Sequence, residues 1–373
     1  MKWYNLDYLD KNFPDFHYHL IFGERSNGKT SAVLERILDN WINKGEKGAY
    51  IRRLDVEIRG ARAKMVWTSM GPAERNLVHK YTHGEWTDIL FHGGGWYLAK
   101  YDEDIKRYVK QPEPFCYALA LNVSESYKGN SFPEVTTILF DEFMTRHRYL
   151  ANEFLHFQNL LSTIIRQRDN VKVYLLGNTV NMYSPYFDEM GVDGADTMEP
   201  GQIKPYFIEN SINGKSTKVA VQYCKNNDTG KDSDVYFQFE NKTSKMITGG
   251  EWEIPMYPHI PLKYKASDII DIFFIEFRDK IIQGDIIAKD DYHFIYLHKK
   301  TTPIKDDDKM IYNLTPSPKM NHAVSLKGPI YRNKISEAIG KLFREGQVYF
   351  QDNPIGELVR NYEELAQASK NML

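Results

Sequence analysis

Apolar positions set the rhythm of this chain, and the rhythm changes once along its length. "HYHLIF" (17–22) is a compact apolar run that predicts a short buried strand. Val33, Leu34, Ile37, Leu38 and Trp41 then recur at helical spacing, predicting a helix over 30–43. "KGAYIRR" (47–53) predicts a second strand, and residues 55–86 read as helical and basic. "TDILFHGGGWYLAKY" (87–101) predicts two strands around a glycine turn. "FCYALAL" (115–121), "VTTILF" (135–140) and "VKVYLLG" (171–177) are unbroken enough for central strands, with a helix over 153–166 between the last two. Strands alternating with helices indicate an α/β domain of three layers around a mostly parallel sheet.

Beyond the polar stretch "NNDTGKDSD" (226–234) the pattern becomes an antiparallel meander: "DIIDIFFIEF", "KIIQGDII" and "DYHFIYLH", joined by short turns. Two amphipathic helices, 331–345 and 355–370, follow it, and Glu357, Glu363 and Glu364 read as the solvated face of the second. The expected organisation is a domain over 1–226, a linker over 227–255 and a smaller α+β domain over 256–373.

Composition narrows the classes. A net charge of −2 argues against a globally basic nucleic-acid coat, though not against a local basic patch. Two cysteines, Cys116 and Cys224, leave no disulfide framework or zinc knuckle and suit a reducing compartment. The opening "MKWYNLDYLD" carries acids and no apolar core, so no secretory signal is expected. "IIDIFFIEF" is interrupted by Asp271 and Glu276 and is too short to span a bilayer. No membrane partner is expected, and the reading is cytosolic.

The chemistry begins at Gly23-Glu24-Arg25-Ser26-Asn27-Gly28-Lys29-Thr30, which satisfies G-x-x-x-x-G-K-[ST] between a predicted strand and a predicted helix. Such a loop turns its backbone N–H groups onto a phosphate chain, helped by the helix N-terminus beneath it. Lys29 would bridge the outer phosphates, Thr30 would ligate Mg²⁺, and Ser31 completes the nucleotide-binding set. "TTILFDEF" supplies the acids such a site needs: Asp141 to hold the metal and Glu142 to polarise the attacking water. Adjacent Asp and Glu mark the ATPase branch of this class. In that branch the strand ending at Asn178 lies between the phosphate-loop strand and the Asp-Glu strand, so Asn178 becomes a sensor of the γ-phosphate or, alternatively, a capping residue. Arg25 could reach its own γ-phosphate or a neighbour's, and Arg166 and Arg168 could insert into an adjacent site or simply end a helix in solvent. "HGGG" (92–95) resembles an esterase loop, but with no G-x-S-x-G it reads as a hairpin turn. "NKTS" (241–244) lacks the Asp of a guanine-recognition motif, which disfavours a GTPase.

Four stretches together, "GERSNGKT", "YIRR", "SYKGNSFPEVTTILFDEF" and "IIRQRDNVKVYLLGNTVNMYSPYF", resemble the DNA-encapsidation ATPases of small podophages with protein-primed genomes, motors related to large terminase subunits. The resemblance covers most of the first ~190 residues. It implies a P-loop ATPase domain using ATP and Mg²⁺, and a C-terminal domain like RNase H that has lost its nuclease. It also implies a homo-oligomeric, pentameric ring in the host cytoplasm, attached transiently to the portal of a prohead, with a structural RNA or capsid as a further partner. The ring would pump double-stranded DNA inward. Lys128 and Arg166 match positions that the family uses as charges acting on the neighbour's ATP. Where relatives carry a lysine after "RR", this chain has Leu54 and Asp55, so DNA contact would pass to Arg59, Arg62 or Lys64. Two other readings stay open: a terminase with a working nuclease, and a P-loop module serving as a structural or regulatory switch.

Overall fold

The computed structural model describes residues 4–25, 27–71, 74–146, 149–181, 183–209, 215–224, 255–260, 262–305, 308–328 and 331–370. Ser26 lies outside them, and of the expected linker only Pro255 lies within. The chain divides into two compact units, Met1–Glu253 and Ile254–Leu373.

The first unit is built on strands, the central ones apolar on both sides. They are β1 (Tyr18–Gly23), β2 (Lys47–Arg52), β3 (Asp88–His92), β4 (Gly95–Asp102), β5 (Arg107–Lys110), β6 (Cys116–Ala120), β7 (Val135–Asp141), β8 (Lys172–Asn178), β9 (Ile203–Glu209) and β10 (Ser216–Cys224). Their order in the sheet is β3-β4-β6-β2-β7-β8-β1-β10-β9, with β5 paired to β4. The strands from β6 through β10 along that order are parallel, and antiparallel pairs close both edges. The mostly parallel α/β fold expected of the sequence is therefore present.

Helices α1 (Asp7–Asn12), α2 (Lys29–Lys44), α3 (Gly60–Met65), α4 (Leu77–Tyr81), α5 (Glu153–Ile165) and α6 (Pro185–Glu189) cover the two faces. On one face Val33, Leu34, Ile37 and Leu38 of α2 pack on Ile21, Leu139 and Tyr174. On the other, Phe157, Leu160, Leu161 and Ile164 of α5 pack on Leu20, Phe140 and Leu175. The continuous helix expected over 55–86 is instead a series of short pieces. Gly60 (φ 58°) and Asn76 (φ 50°) take left-handed conformations that a helix cannot continue through. Strands β9 and β10 carry no clean apolar run, because Lys204, Pro205 and Lys218 interrupt them. They are strands because β10 docks in parallel beside β1, where Val219, Ala220 and Val221 are buried.

The second unit holds β11 (Ile269–Phe277), β12 (Lys280–Lys289) and β13 (Tyr292–Lys300), the expected meander, with β14 (Met310–Tyr312), β15 (His322–Ala323) and β16 (Val348–Phe350). The order is β15-β14-β11-β12-β13-β16, and the added strands run parallel to their neighbours. Helices α7 (Lys334–Arg344) and α8 (Asn353–Lys370) complete this mixed α+β unit. Asn333 starts α7 by accepting a hydrogen bond from the Ser336 amide at 2.8 Å. For two of the acids of α8 the solvated-face reading is overturned. Glu357 is buried and accepts from the Tyr257 hydroxyl (2.6 Å) and from Arg360 (2.5 Å), while Glu363 pairs with Lys327 (2.7 Å).

Asp285 of β12 is buried and accepts from Tyr264 (3.0 Å) and Gln283 (2.8 Å), with His298 Nε2 at 3.3 Å. Burial alone would raise its carboxyl, but these hydrogen bonds outweigh burial and hold it below the usual range. The hydrogen bond to Asp285 raises the His298 imidazole above its ordinary value. A raised folded value means that this contribution to stability is complete below the unfolded imidazole value of about 6.5. It is lost as pH rises through the folded value. The melting transition of the second unit should therefore fall as pH is raised above neutrality, and His298→Ala should remove that component. A variant that keeps the parental slope would show that the pair contributes nothing.

Candidate active site

The parallel ladder brings the site residues to one end of the sheet. Gly23 ends β1 in register with Asn178 at the end of β8, and Asp141 of β7 is in register with Leu176 of β8. The β8 strand thus lies between the strand that feeds the glycine loop and the strand that carries the acids. Asn178 is half-buried there.

Between β1 and α2 the loop turns on Gly28, the residue before α2, at φ 91°, where a side chain would be strained. Lys29 is buried, and its ammonium donates to the Glu24 carbonyl (2.5 Å) and to Asn27 Oδ1 (3.2 Å). Burial lowers the Lys29 pKa, against the pull of Asp141 and Glu24 in the other direction. Asn27 Nδ2 is buried with no hydrogen-bond partner among the described residues. Thr30 donates from Oγ1 to Asp141 Oδ1 at 3.2 Å, joining residues 111 positions apart. Ser31 lies one residue further along α2, and Arg25 is exposed on the loop.

Asp141 also accepts from the Tyr50 hydroxyl at 2.9 Å, and its side chain is only 13% exposed. Burial raises its carboxyl above the ordinary range, although Arg52, Tyr50 and Thr30 favour the charged form. Glu142 is exposed and takes a left-handed conformation, φ 60°. Its carboxylate is engaged by Arg52 at 2.7 Å, while the same guanidinium reaches Glu57 (3.1 Å) and lies 3.7 Å from Asp141.

Arg52 was not singled out as a site residue from the sequence, nor were Tyr50, Arg53, Glu57 and Glu153. The available signal was the pair of arginines closing an otherwise apolar strand, "YIRR". Side chains alternate along a strand, so consecutive arginines must serve opposite faces. Arg52 joins Tyr50 on the α2 face. Arg53 crosses to the α5 face and forms a two-pronged pair with Glu153, at 2.8 and 2.9 Å.

A cavity of about 400 Å³ opens beside the loop. Its lining includes Tyr4, Asn5, Gly28, Ser31, Arg75 and Tyr81.

The remaining candidates lie elsewhere in the first unit. Arg166 follows α5 in a left-handed conformation (φ 44°) and donates to the Asn130 carbonyl. Lys128 is exposed in the loop leading to Asn130 and pairs with Glu125. The length of α5, about 20 Å for its 13 residues, separates Arg166 from Glu153 and the acids near it. Neither Arg166 nor Lys128 is brought to the glycine loop of its own chain. Arg168 donates to the carbonyls of Phe132 (3.1 Å), Pro133 (2.7 Å), Val135 (2.7 Å) and Ile164 (2.8 Å), tying the 130–135 loop to α5. Arg59, Arg62 and Lys64 are exposed after β2. Arg59 pairs with Asp55 at 2.6 Å, and Arg62 donates to the Val56 carbonyl at 3.1 Å.

Residues 105–192 match the family model described as podovirus DNA encapsidation protein (Gp16). The DNA packaging protein of Bacillus phage B103 is 25% identical over 253 residues, 61% of this chain and 69% of that protein. The DNA packaging protein of Bacillus phage phi29 is 28% identical over 172 residues, 45% of either chain. Among solved structures, the bacteriophage Phi-29 viral genome packaging motor assembly superposes with a TM-score of 0.53 at 18% identity, covering 98% of this chain and 99% of that one. The Phi-28 gp11 DNA packaging motor gives 0.52 at 18% identity, covering 98% and 97%. At that identity these two establish a shared fold. With the glycine loop, the Asp-Glu strand and the strand order between them, the matches show that this chain is similar to the podovirus DNA encapsidation proteins, the resemblance its motifs led us to expect.

Proposed function

We propose that the chain is the ATPase subunit of a viral packaging motor, hydrolysing ATP to drive double-stranded DNA into a prohead. The observation that carries this reading is the Thr30–Asp141 contact at 3.2 Å, with Lys29 buried beside it. A hydroxyl and a carboxylate facing each other at the foot of a glycine loop suit a phosphate-bound Mg²⁺. The fit to a phosphate is supported by two features. Lys29 is buried against neutral oxygens, and Asn27 Nδ2 is a buried donor without an acceptor among the described residues. The adjoining cavity has the volume of a ligand pocket, which ~300–1,000 Å³ brackets, and would take the base and sugar.

In this reading Lys29 would bind the outer phosphates, and Thr30 and Asp141 would hold Mg²⁺, which when bound would supply neutralising charge to the phosphates. Glu142 orients water, and Asn178 faces the terminal phosphate from the middle strand. Arg52 currently occupies the Glu142 carboxylate, so Glu142 serves water only when that ion pair opens. The exposed Arg59, Arg62 and Lys64 extend from the same end of β2 and are the proposed DNA contacts. Placement of Arg166 and Lys128 away from their own loop supports a role at the neighbour's site, in a homo-oligomeric, pentameric ring. Arg168 is occupied by five loop, strand and helix carbonyls, which favours Arg166 as the inserted arginine. The host cytoplasm is the proposed location, with attachment to the portal and structural RNA or capsid during packaging. Among the described residues no helix is long and apolar enough to cross a membrane.

The second unit is proposed to lack nuclease activity. Two-metal cleavage needs carboxylates that converge on metals ~4 Å apart. Asp271 of β11 is paired with Lys309 at 3.0 Å, and Asp352 accepts from the Ile355 amide (2.9 Å) at the start of α8. Asp352 follows β16, which is three strand spacings from β11, about 14 Å, so the two acids do not meet.

Purified protein should hydrolyse ATP, and DNA should stimulate the rate; a nucleotide-binding switch would show no such stimulation. Lys29→Ala should abolish both turnover and tight nucleotide binding. Glu142→Gln should abolish turnover, by about a hundredfold or more, while Mg²⁺–ATP still binds. Normal hydrolysis by Glu142→Gln would mean that the water-orienting group is another residue.

Mixing Arg166→Ala chains with Lys29→Ala chains should recover part of the activity, because some interfaces then pair an intact loop with an intact arginine. Assembled mixtures with no recovery at any ratio would count against the role between subunits.

Supercoiled plasmid incubated with the protein and Mn²⁺ should stay intact. Nicking that disappears in Asp271→Ala would instead favour a terminase with a working nuclease.

A further inference from the structure

Glu142 is held at its backbone as well as at its carboxylate. The Arg53 guanidinium donates from Nη1 to the Glu142 carbonyl (3.2 Å) and from Nη2 to the Phe143 carbonyl (2.8 Å). Its other donors go to Glu153, Nε to Oε2 (2.8 Å) and Nη2 to Oε1 (2.9 Å). Glu153 is 3% exposed and has both oxygens filled: Oε1 also accepts from the Tyr186 hydroxyl (2.9 Å), and Oε2 from the Leu150 amide (2.9 Å). The Tyr149 ring lies 5.1 Å from the guanidinium carbon and packs against it. Burial opposes the charge on Arg53, but Glu153 outweighs it and raises its pKa.

The residue so held is strained. Glu142 is a non-glycine residue at φ 60°, and directly after it the Phe143 amide donates to the Leu176 carbonyl of β8 at 3.0 Å. The left-handed turn at 142 lets the chain leave β7 while its carboxylate stays beside Asp141. Carbonyls 142 and 143 are the groups that must be fixed to keep that turn.

We propose that Arg53, fixed by Glu153, is the positioning residue for Glu142, setting the direction of its carboxylate through the backbone. The inference rests on the ATPase reading given above. Arg53 need not touch nucleotide or water. Its planar fork reaches two successive carbonyls and a carboxylate at once, which the single nitrogen of lysine cannot do.

Arg53→Lys is therefore the decisive variant, because it keeps the buried charge opposite Glu153 and loses the fork. A merely structural ion pair would be rescued by lysine. A positioning role predicts that kcat falls by about ten- to a hundredfold, while KM, the affinity for a non-hydrolysed ATP analogue and the melting temperature stay near parental values. Glu153→Gln, which retains an acceptor for Tyr186 and loosens the hold on Arg53, should lower kcat in the same direction. An Arg53→Lys protein that folds and turns over at the parental rate overturns the proposal. So does a Glu153→Gln protein with parental kcat if Arg53→Lys does not fold. Glu142→Gln serves as the control: turnover insensitive to it would overturn the ATPase assignment of Glu142 itself, and this proposal with it.

Discussion

Everything at the site depends on parallel pairing held in a single register. Backbone hydrogen bonds from β1 to β8 and from β8 to β7 fix Gly23, Asn178 and Asp141 at one edge of the sheet. A slip of one residue in β7 would turn Asp141 away from α2 and put Phe140 in its place. What prevents the slip is burial on both faces. Leu139 packs toward α2, and Ile138 and Phe140 pack toward α5, so an alternative register would place Asp141 in an apolar layer. The cores therefore do more than stabilise the unit. They aim the carboxylate at a threonine 111 positions earlier in the chain.

That precision is combined with an electrostatic mismatch. Lys29 is buried among neutral oxygens, and burial depresses its pKa. Asp141 is raised by burial, even with Arg52, Tyr50 and Thr30 nearby. Each charge is poorly solvated, and the folding cost of such groups is ordinarily offset by a close partner. Here the partners are shared. Arg52 alone serves Glu57, Glu142 and Asp141. A polyanion with its cation would give Lys29 a charged acceptor and Asp141 a closer counter-charge at the same moment. Ground-state discomfort of this kind is what a site selective for a metal–phosphate ligand would carry.

The sequence made the frame of the first unit legible because its signals are local. The glycine loop is contiguous, and the acids follow an unbroken apolar run. Strands β9 and β10 were not legible, since Lys204, Pro205 and Lys218 blur their pattern and only docking beside β1 makes them strands. The helix expected over 55–86 failed at Gly60 and Asn76, where left-handed backbone cannot be told from composition alone. In the second unit Glu357 and Glu363 looked like solvent-facing acids. Their partners, Tyr257 and Lys327, are 100 and 36 positions away, so no local pattern could reveal the burial. The residues around the acids were hidden for the same reason: Glu153 becomes informative only once α5 is folded against β2.

The two arginines at the end of β2, Arg52 within it and Arg53 directly after it, show how much one alternation of side chains can do. Adjacent in sequence, Arg52 and Arg53 leave the strand on opposite faces and return to the same residue from different sides. Arg52 binds the Glu142 carboxylate, and Arg53 binds the Glu142 carbonyl. The first contact is exposed and involves a flexible side chain, so it can open at little cost. The second is forked and backed by the buried Glu153, so it stays. Opening the Arg52 contact thus frees the carboxylate without freeing the backbone that aims it. In the proposed function, the water-orienting carboxylate of Glu142 would in this way be withheld and released while its direction is conserved.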